Sequence, residues 1–209
     1  MVSTNLLSAL YYYVVLTSKN YGIDETHSLG HSMDVFYFAN KIYEKELVDN
    51  SFLKNQENII FTSAILHDMC DKKYMNEDHG ISMIKDYLKG KIIDEEINAS
   101  LKIMSTMSYS TVKRNGFPVL GKYQLAYNIV READLLASYD FDRCIMYNML
   151  KKNENYINSF NEAKELFKSR VLKYNDQKLF TTRYAKIKSI KLELKAVSRM
   201  DNLSKILYP

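Results

Sequence analysis

The stretch IIFTSAILHD (Ile59–Asp68) decides the fold of this chain. Almost wholly apolar for its first eight residues, it then ends abruptly in His67-Asp68. A run of this length suits either a buried strand or a buried helix, and periodicity alone does not separate the two. Its neighbours do. Leu29–Tyr43 places Val35, Phe38, Ala39, Ile42 and Tyr43 at helical spacing, and Tyr123–Ala137 (YQLAYNIVREADLLA) puts Ile129, Val130, Ala133 and Leu136 on one face. Asp78–Leu88 and Glu95–Met107 read as two further helices joined by a turn at Gly90. A buried helix delivering a polar pair at its end is therefore expected at Ile59–Asp68.

Breakers are scarce over the 209 residues: proline occurs only at Pro118 and Pro209, and there are six glycines. This favours a mainly helical fold. The clearest interruption is Thr111–Lys122 (TVKRNGFPVLGK), read as a loop carrying Lys113, Arg114 and Lys122. Beyond Lys151 the chain is more polar. Phe160, Ala163, Phe167, Val171 and Tyr174 keep helical spacing, as do Tyr184, Ile187, Ile190, Leu194 and Val197, so two closing helices are expected, joined by Asn175–Phe180. Residues 1–209 read as a single all-α unit, with a core over about 5–150 and a C-terminal helical extension over 151–209. The closing helices suit either a lid or the interface of a homodimer.

The net charge of +4 is too mild for a nucleic-acid footprint, though compatible with phosphate-bearing ligands. Two lone cysteines, Cys70 and Cys144, point to a reducing compartment. The apolar segment ALYYYVVL (Ala9–Leu16) is too short to span a bilayer and reads as a core helix. A cytoplasmic protein (of the host cytoplasm, if the source is viral) with no membrane partner is expected.

One imidazole and one carboxylate side by side at His67-Asp68 suit a divalent metal that accepts nitrogen and oxygen ligands. His31 supplies a third candidate ligand. Asp134, on an apolar helix between Ala133 and Leu135, supplies a fourth, because an unpaired buried carboxylate is costly. Each piece alone is weak. The ordered set is far more specific: His, then His-Asp 36 residues on, then Asp 66 residues later.

That ordered set resembles the HD-domain superfamily of metal-dependent phosphohydrolases, whose pattern is H…HD…D. HSLGHSMDV (His27–Val35) looks like the family's first-helix motif. LHDMCDKKY (Leu66–Tyr74) is similar to the HD-x-x-D-x-K stretch of a subgroup of small, stand-alone nucleotide hydrolases. IMSTMSYS (Ile103–Ser110) and VREADLLASYD (Val130–Asp140) resemble that subgroup's later blocks. The chain departs from the subgroup at Asp34, where arginine is usual, and at Glu132, where aspartate is usual.

The resemblance implies an HD-type helical bundle and a hydrolase for a phosphoester or phosphoanhydride bond of a small nucleotide, nucleoside-triphosphate pyrophosphohydrolases included. It implies a divalent metal on His31, His67, Asp68 and Asp134. That set accepts Mn, Mg, Fe, Co, Ni or Zn, and the subgroup favours Mn. Asp71, four residues after His67 and so on the same helical face, would orient or deprotonate water, with Asp68 sharing that role. Lys73 would hold phosphate charge. His27 would protonate the leaving group, hold a second metal, or serve as a cap or outer donor. His79, Arg114 and Lys122 are weaker candidates for substrate contact. Asp140 and Arg143 either pair on a helix face or line the pocket, and Glu132 serves structure. Alternatives are a phosphodiesterase for cyclic or oligonucleotide signals, or an HD scaffold without catalysis.

Overall fold

The computed structural model describes residues 2–208, which form ten α-helices and no β-strand. The first five are α1 (Thr4–Tyr21), α2 (Leu29–Glu46), α3 (Glu57–Leu66), α4 (Glu77–Leu88) and α5 (Asp94–Thr106). α6 (Tyr109–Asn115), α7 (Gln124–Ala137), α8 (Phe141–Lys152), α9 (Tyr156–Ser169) and α10 (Arg183–Leu207) complete the chain. Among the described residues, no helix is long and apolar enough to cross a membrane.

The decisive stretch is α3, and every residue from Ile59 to Leu66 is buried. A helix apolar all round must be covered all round. Ile59, Ile60, Phe61 and Ala64 join a large cluster with α2, α7 and the C-terminal helices. Ile65 and Leu66 join a smaller one beneath α1, α4 and α5, with Leu10, Val14, Ile84, Leu88 and Ile97. Phe160, Phe167, Tyr174, Ala196 and Leu203 belong to the larger cluster, so the C-terminal helices share one core with the rest.

Three local expectations are corrected. The expected loop Thr111–Lys122 is half helix: α6 runs to Asn115, started by Ser108, whose hydroxyl accepts from the Thr111 amide at 3.2 Å. α1 buries only one face, through Leu10, Tyr13 and Val14, leaving Tyr12 and Val15 exposed. The closing helix α10 is rotated from its apolar stripe: Ile187, Ile190, Leu194 and Val197 face outward, and Ala185, Ser189, Ala196, Met200 and Leu203 face the core.

Glu132 fixes the start of α10. Its buried carboxylate accepts from the amides of Thr181 and Thr182 at 2.7 and 3.1 Å, and from both hydroxyls at 2.5 and 2.6 Å. Thr182 is itself the α10 N-cap. Four donors satisfy a carboxylate that would otherwise be expensive to bury.

Gly80 sets a second close approach. A Cβ there would meet Cys70 Cβ at 2.8 Å, Met75 Sδ at 2.8 Å and the Cys70 Cα at 2.9 Å, so α4 packs directly on the turn that follows His67. Gly80→Ala should therefore destabilise the chain by about 1–3 kcal/mol, despite a helix-propensity gain of about 1 kcal/mol. Urea unfolding checks this; equal or greater stability would mean the turn yields freely.

Candidate metal centre and cavity

Four of the expected residues meet at one point, carried there by three helix ends. His31 lies in the first turn of α2, His67 caps the C-terminus of α3 with Asp68 next to it, and Asp134 lies in the last turn of α7. The C-terminal ends of α3 and α7 add partial negative charge, which favours a cation between them.

The two imidazole Nε2 atoms are 3.2 Å apart. Asp134 Oδ1 stands 3.3 Å from His31 Nε2 and 3.6 Å from His67 Nε2. Asp68 straddles the pair, Oδ2 at 3.4 Å from His31 Nε2 and Oδ1 at 3.4 Å from His67 Nε2. One atom each from His31, His67 and Asp134 lie within 4.8 Å of one another, a spread that fits a single ion, and Asp68 stands beside this group of three against both imidazoles.

The donor chemistry agrees. His67 Nδ1–H donates to the Ala64 carbonyl at 2.9 Å, which leaves the Nε2 lone pair for the centre. His31 is oriented less completely, since its buried Nδ1 has no hydrogen-bond partner among the described residues.

Without an ion, the four groups share protons. Burial opposes charging of His67, but the carboxylates of Asp68 and Asp134 outweigh it and push its pKa up to about 9. For His31, burial dominates, with the Arg143 cation adding to it, and its pKa falls to about 4. Burial also opposes ionisation of Asp134, yet hydrogen bonds from both imidazoles hold its carboxyl well below the usual range. One proton thus resides on His67 where a cation would otherwise stand.

A cavity of about 670 Å³ opens beside this centre. It is bordered by His27, Asp71, Lys73, Arg114, Asp140 and Arg143 as well as by the four converging residues. His79 and Lys122 do not border it. His79 packs against Tyr21, whose hydroxyl lies 3.2 Å from its Nε2, and Lys122 pairs with Glu95 at 2.5 Å.

Asp71 reaches the cavity by another route than expected. α3 stops at Leu66 and residues 67–70 form turns, so no helical face joins His67 to Asp71. Its Oδ1 accepts the Lys73 amide at 2.9 Å and its Oδ2 lies 3.5 Å from Lys73 Nζ, so it shapes the turn that presents Lys73.

His27 also acquires a defined state. The hydroxyls of Thr26 and Tyr74 both give their protons to Asp24. His27 Nδ1, 2.9 Å from Thr26 Oγ1, must then be the donor. Its Nε2 keeps a lone pair and accepts from Lys73 Nζ at 3.5 Å. Burial lowers its pKa, which favours the neutral acceptor over the charged form that would donate to a leaving group.

Sequence reasoning did not find Asp24, Tyr74, Tyr147 or Arg170. Asp24-x-Thr26 carried a legible turn signal, with the Thr26 amide donating to Asp24 Oδ1 at 3.0 Å. Tyr74 and Tyr147 flank His27 at ring-centroid distances of 5.8 and 5.2 Å, but nothing marks them among 17 tyrosines. Arg143 crosses the cavity wall to the Thr26 carbonyl at 2.7 Å, and Asp140 caps α8 instead of pairing with it.

No family model matches the chain, and no curated protein or solved structure matches it either.

Two outcomes follow for the metal-free chain. His67 holds its proton up to about 9 when folded and about 6.5 when unfolded, so its contribution is complete below 6.5 and lost as pH rises toward 9. His31 does the opposite, favouring unfolding as pH falls from about 6.5 toward 4. Urea midpoints across pH should fall between 6.5 and 9 in the unaltered chain and flatten there in His67→Gln. At pH 7.5, a divalent ion should displace about one proton. Calorimetry in buffers of different ionisation enthalpy counts it; zero protons would mean that the ion binds elsewhere.

Proposed function

We propose that this protein is a metal-dependent phosphohydrolase of the HD type, acting on a small nucleotide. The observation that carries the reading is the convergence of His31, His67, Asp68 and Asp134, at 3.2–3.6 Å, on the edge of a cavity furnished with cations. Two imidazoles and two carboxylates suit Mn or a related divalent ion. Such an ion supplies polarisation of a phosphoryl group and acidification of water.

The remaining steps belong to the chain's own side chains. Lys73 and Arg143 border the cavity on the His27 side and meet the charge of a phosphate there. Asp71 holds Lys73 in place through the turn. His27, whose neutral form burial favours, turns its Nε2 lone pair toward Lys73 Nζ and accepts a hydrogen bond there. Tyr147, with Lys73 Nζ 5.6 Å from its ring centroid, offers an aromatic face to a base or sugar.

A cavity of about 670 Å³ has the size of a small-molecule site, which favours a mononucleotide over a polymer. The same size and its several cations, with Arg114 and Arg170 farther along, also favour a second reading: a phosphodiesterase for a cyclic or short oligonucleotide.

Phosphate and pyrophosphate release from nucleoside mono-, di- and triphosphates, with added Mn, tests the first reading. A chelator and the His67→Ala and Asp68→Ala chains should bring release to background. Lys73→Ala should raise KM about tenfold or more, the scale of one lost charge-assisted hydrogen bond, with less effect on kcat. Turnover confined to cyclic or dinucleotide substrates would select the second reading. Absence of both turnover and bound metal would overturn the proposal.

A further inference from the structure

Arg131, in the middle of α7, is 2% exposed, yet its guanidinium is mostly unmatched. Only Nη1 has a partner, donating to the Leu179 carbonyl at 3.0 Å. Nε and Nη2 have no hydrogen-bond partner among the described residues. The adjacent carboxylate gives no relief, because Glu132 commits both oxygens to Thr181 and Thr182. An arginine stays protonated even when buried, so a desolvated guanidinium calls for an anion.

The unmatched atoms are the informative ones. Nε–H and Nη2–H lie along the same edge of the guanidinium and form the fork that grips two oxygens of a carboxylate or phosphate. That side chain borders a cavity of about 260 Å³, separate from the large one, whose wall includes Lys113, Phe117 and Gln177. Phe117 lies over the guanidinium, its ring centroid 4.8 Å from Cζ. The turn that brings it there starts at Gly116, with φ +76° and ψ −177°, a conformation open in practice only to glycine.

We propose that this cavity is a second ligand site, distinct from the His/Asp centre, which binds a small oxyanion on the free edge of Arg131. Lys113 at the wall adds a second positive charge, and the half-exposed Phe117 and the buried Leu179 form the apolar side of the cavity. The class is a compact phosphate or carboxylate. The site does not depend on what the His/Asp centre catalyses. The two cavities share Tyr109, and α6 separates them, with Arg114 and Asn115 on the large cavity and Val112 and Lys113 on the small one.

The chain contains no tryptophan, so Phe117→Trp places a single indole beside the guanidinium. Titration of that chain with inorganic phosphate, then with acetate, at constant ionic strength should give a saturable change in emission. The phosphate response should persist when His67→Ala is added and should vanish with Arg131→Met. Arg131→Lys, which keeps the charge and removes the fork, should weaken phosphate binding about tenfold or more. It keeps the test open if Arg131→Met fails to fold.

The thermal midpoint of the chain with native Phe117 should also rise with phosphate, and this rise should shrink in Arg131→Lys. A larger response to acetate than to phosphate would assign the site to carboxylates. Three results overturn the proposal: no saturable change and no thermal shift in folded protein, a response undiminished in both Arg131 variants, or a response abolished by His67→Ala.

Discussion

The constraint on which this architecture rests is that α3 has no polar side to give to water. From Ile59 to Leu66 it must be enclosed, and the enclosure takes two clusters, one built by α2, α7 and the C-terminal helices and the other by α1, α4 and α5. A polar pair at the end of such a helix has nowhere apolar to go. His67 and Asp68 therefore emerge where α2 and α7 converge, and each of those helices brings one more polar group to the same place. Burial of the helix and assembly of the centre are one event described at two scales.

Electrostatics then couples the four groups tightly. Each alone would be costly at this depth. Together they hold one proton beyond two neutral imidazoles and two carboxylates, with the pKa of His67 pushed up and that of His31 pushed down. The contrast with Glu132 is instructive. Two residues from Asp134 on the same helix, it is more deeply buried, yet it is satisfied by four donors from Thr181 and Thr182 and asks for nothing further. α7 thus carries three charged residues in four positions, each with a different resolution of the same problem.

Much of this was legible in the sequence, where the chemistry is periodic or residue-specific. The apolar stripes of α2 and α7 and the run at α3 mark helices, and an ordered His, His-Asp and Asp on those helices marks a centre. What escaped depends on tertiary direction. On α10, Ile187, Ile190 and Leu194 face outward on a helix whose cap, Thr182, is tied to Glu132, a contact across 50 residues that no local pattern marks. Asp71 was placed on a helix that in fact ends at Leu66, because a helix C-terminus without glycine or proline leaves little mark. The tautomer of His27 required Asp24, Thr26 and Tyr74 at once, and Tyr74 is 47 residues away.

The position of α3 between its two clusters also separates the large cavity into parts with different lifetimes. Exposing α3 to solvent requires both clusters to open, so the helix that delivers His67 belongs to the most protected part of the fold. Lys73 stands on the turn after α3, and His27 stands on the loop before α2, held by side-chain hydrogen bonds near the surface. Segments of that kind open locally at little cost. The cavity thus joins a floor set by core packing to a rim set by side-chain hydrogen bonds.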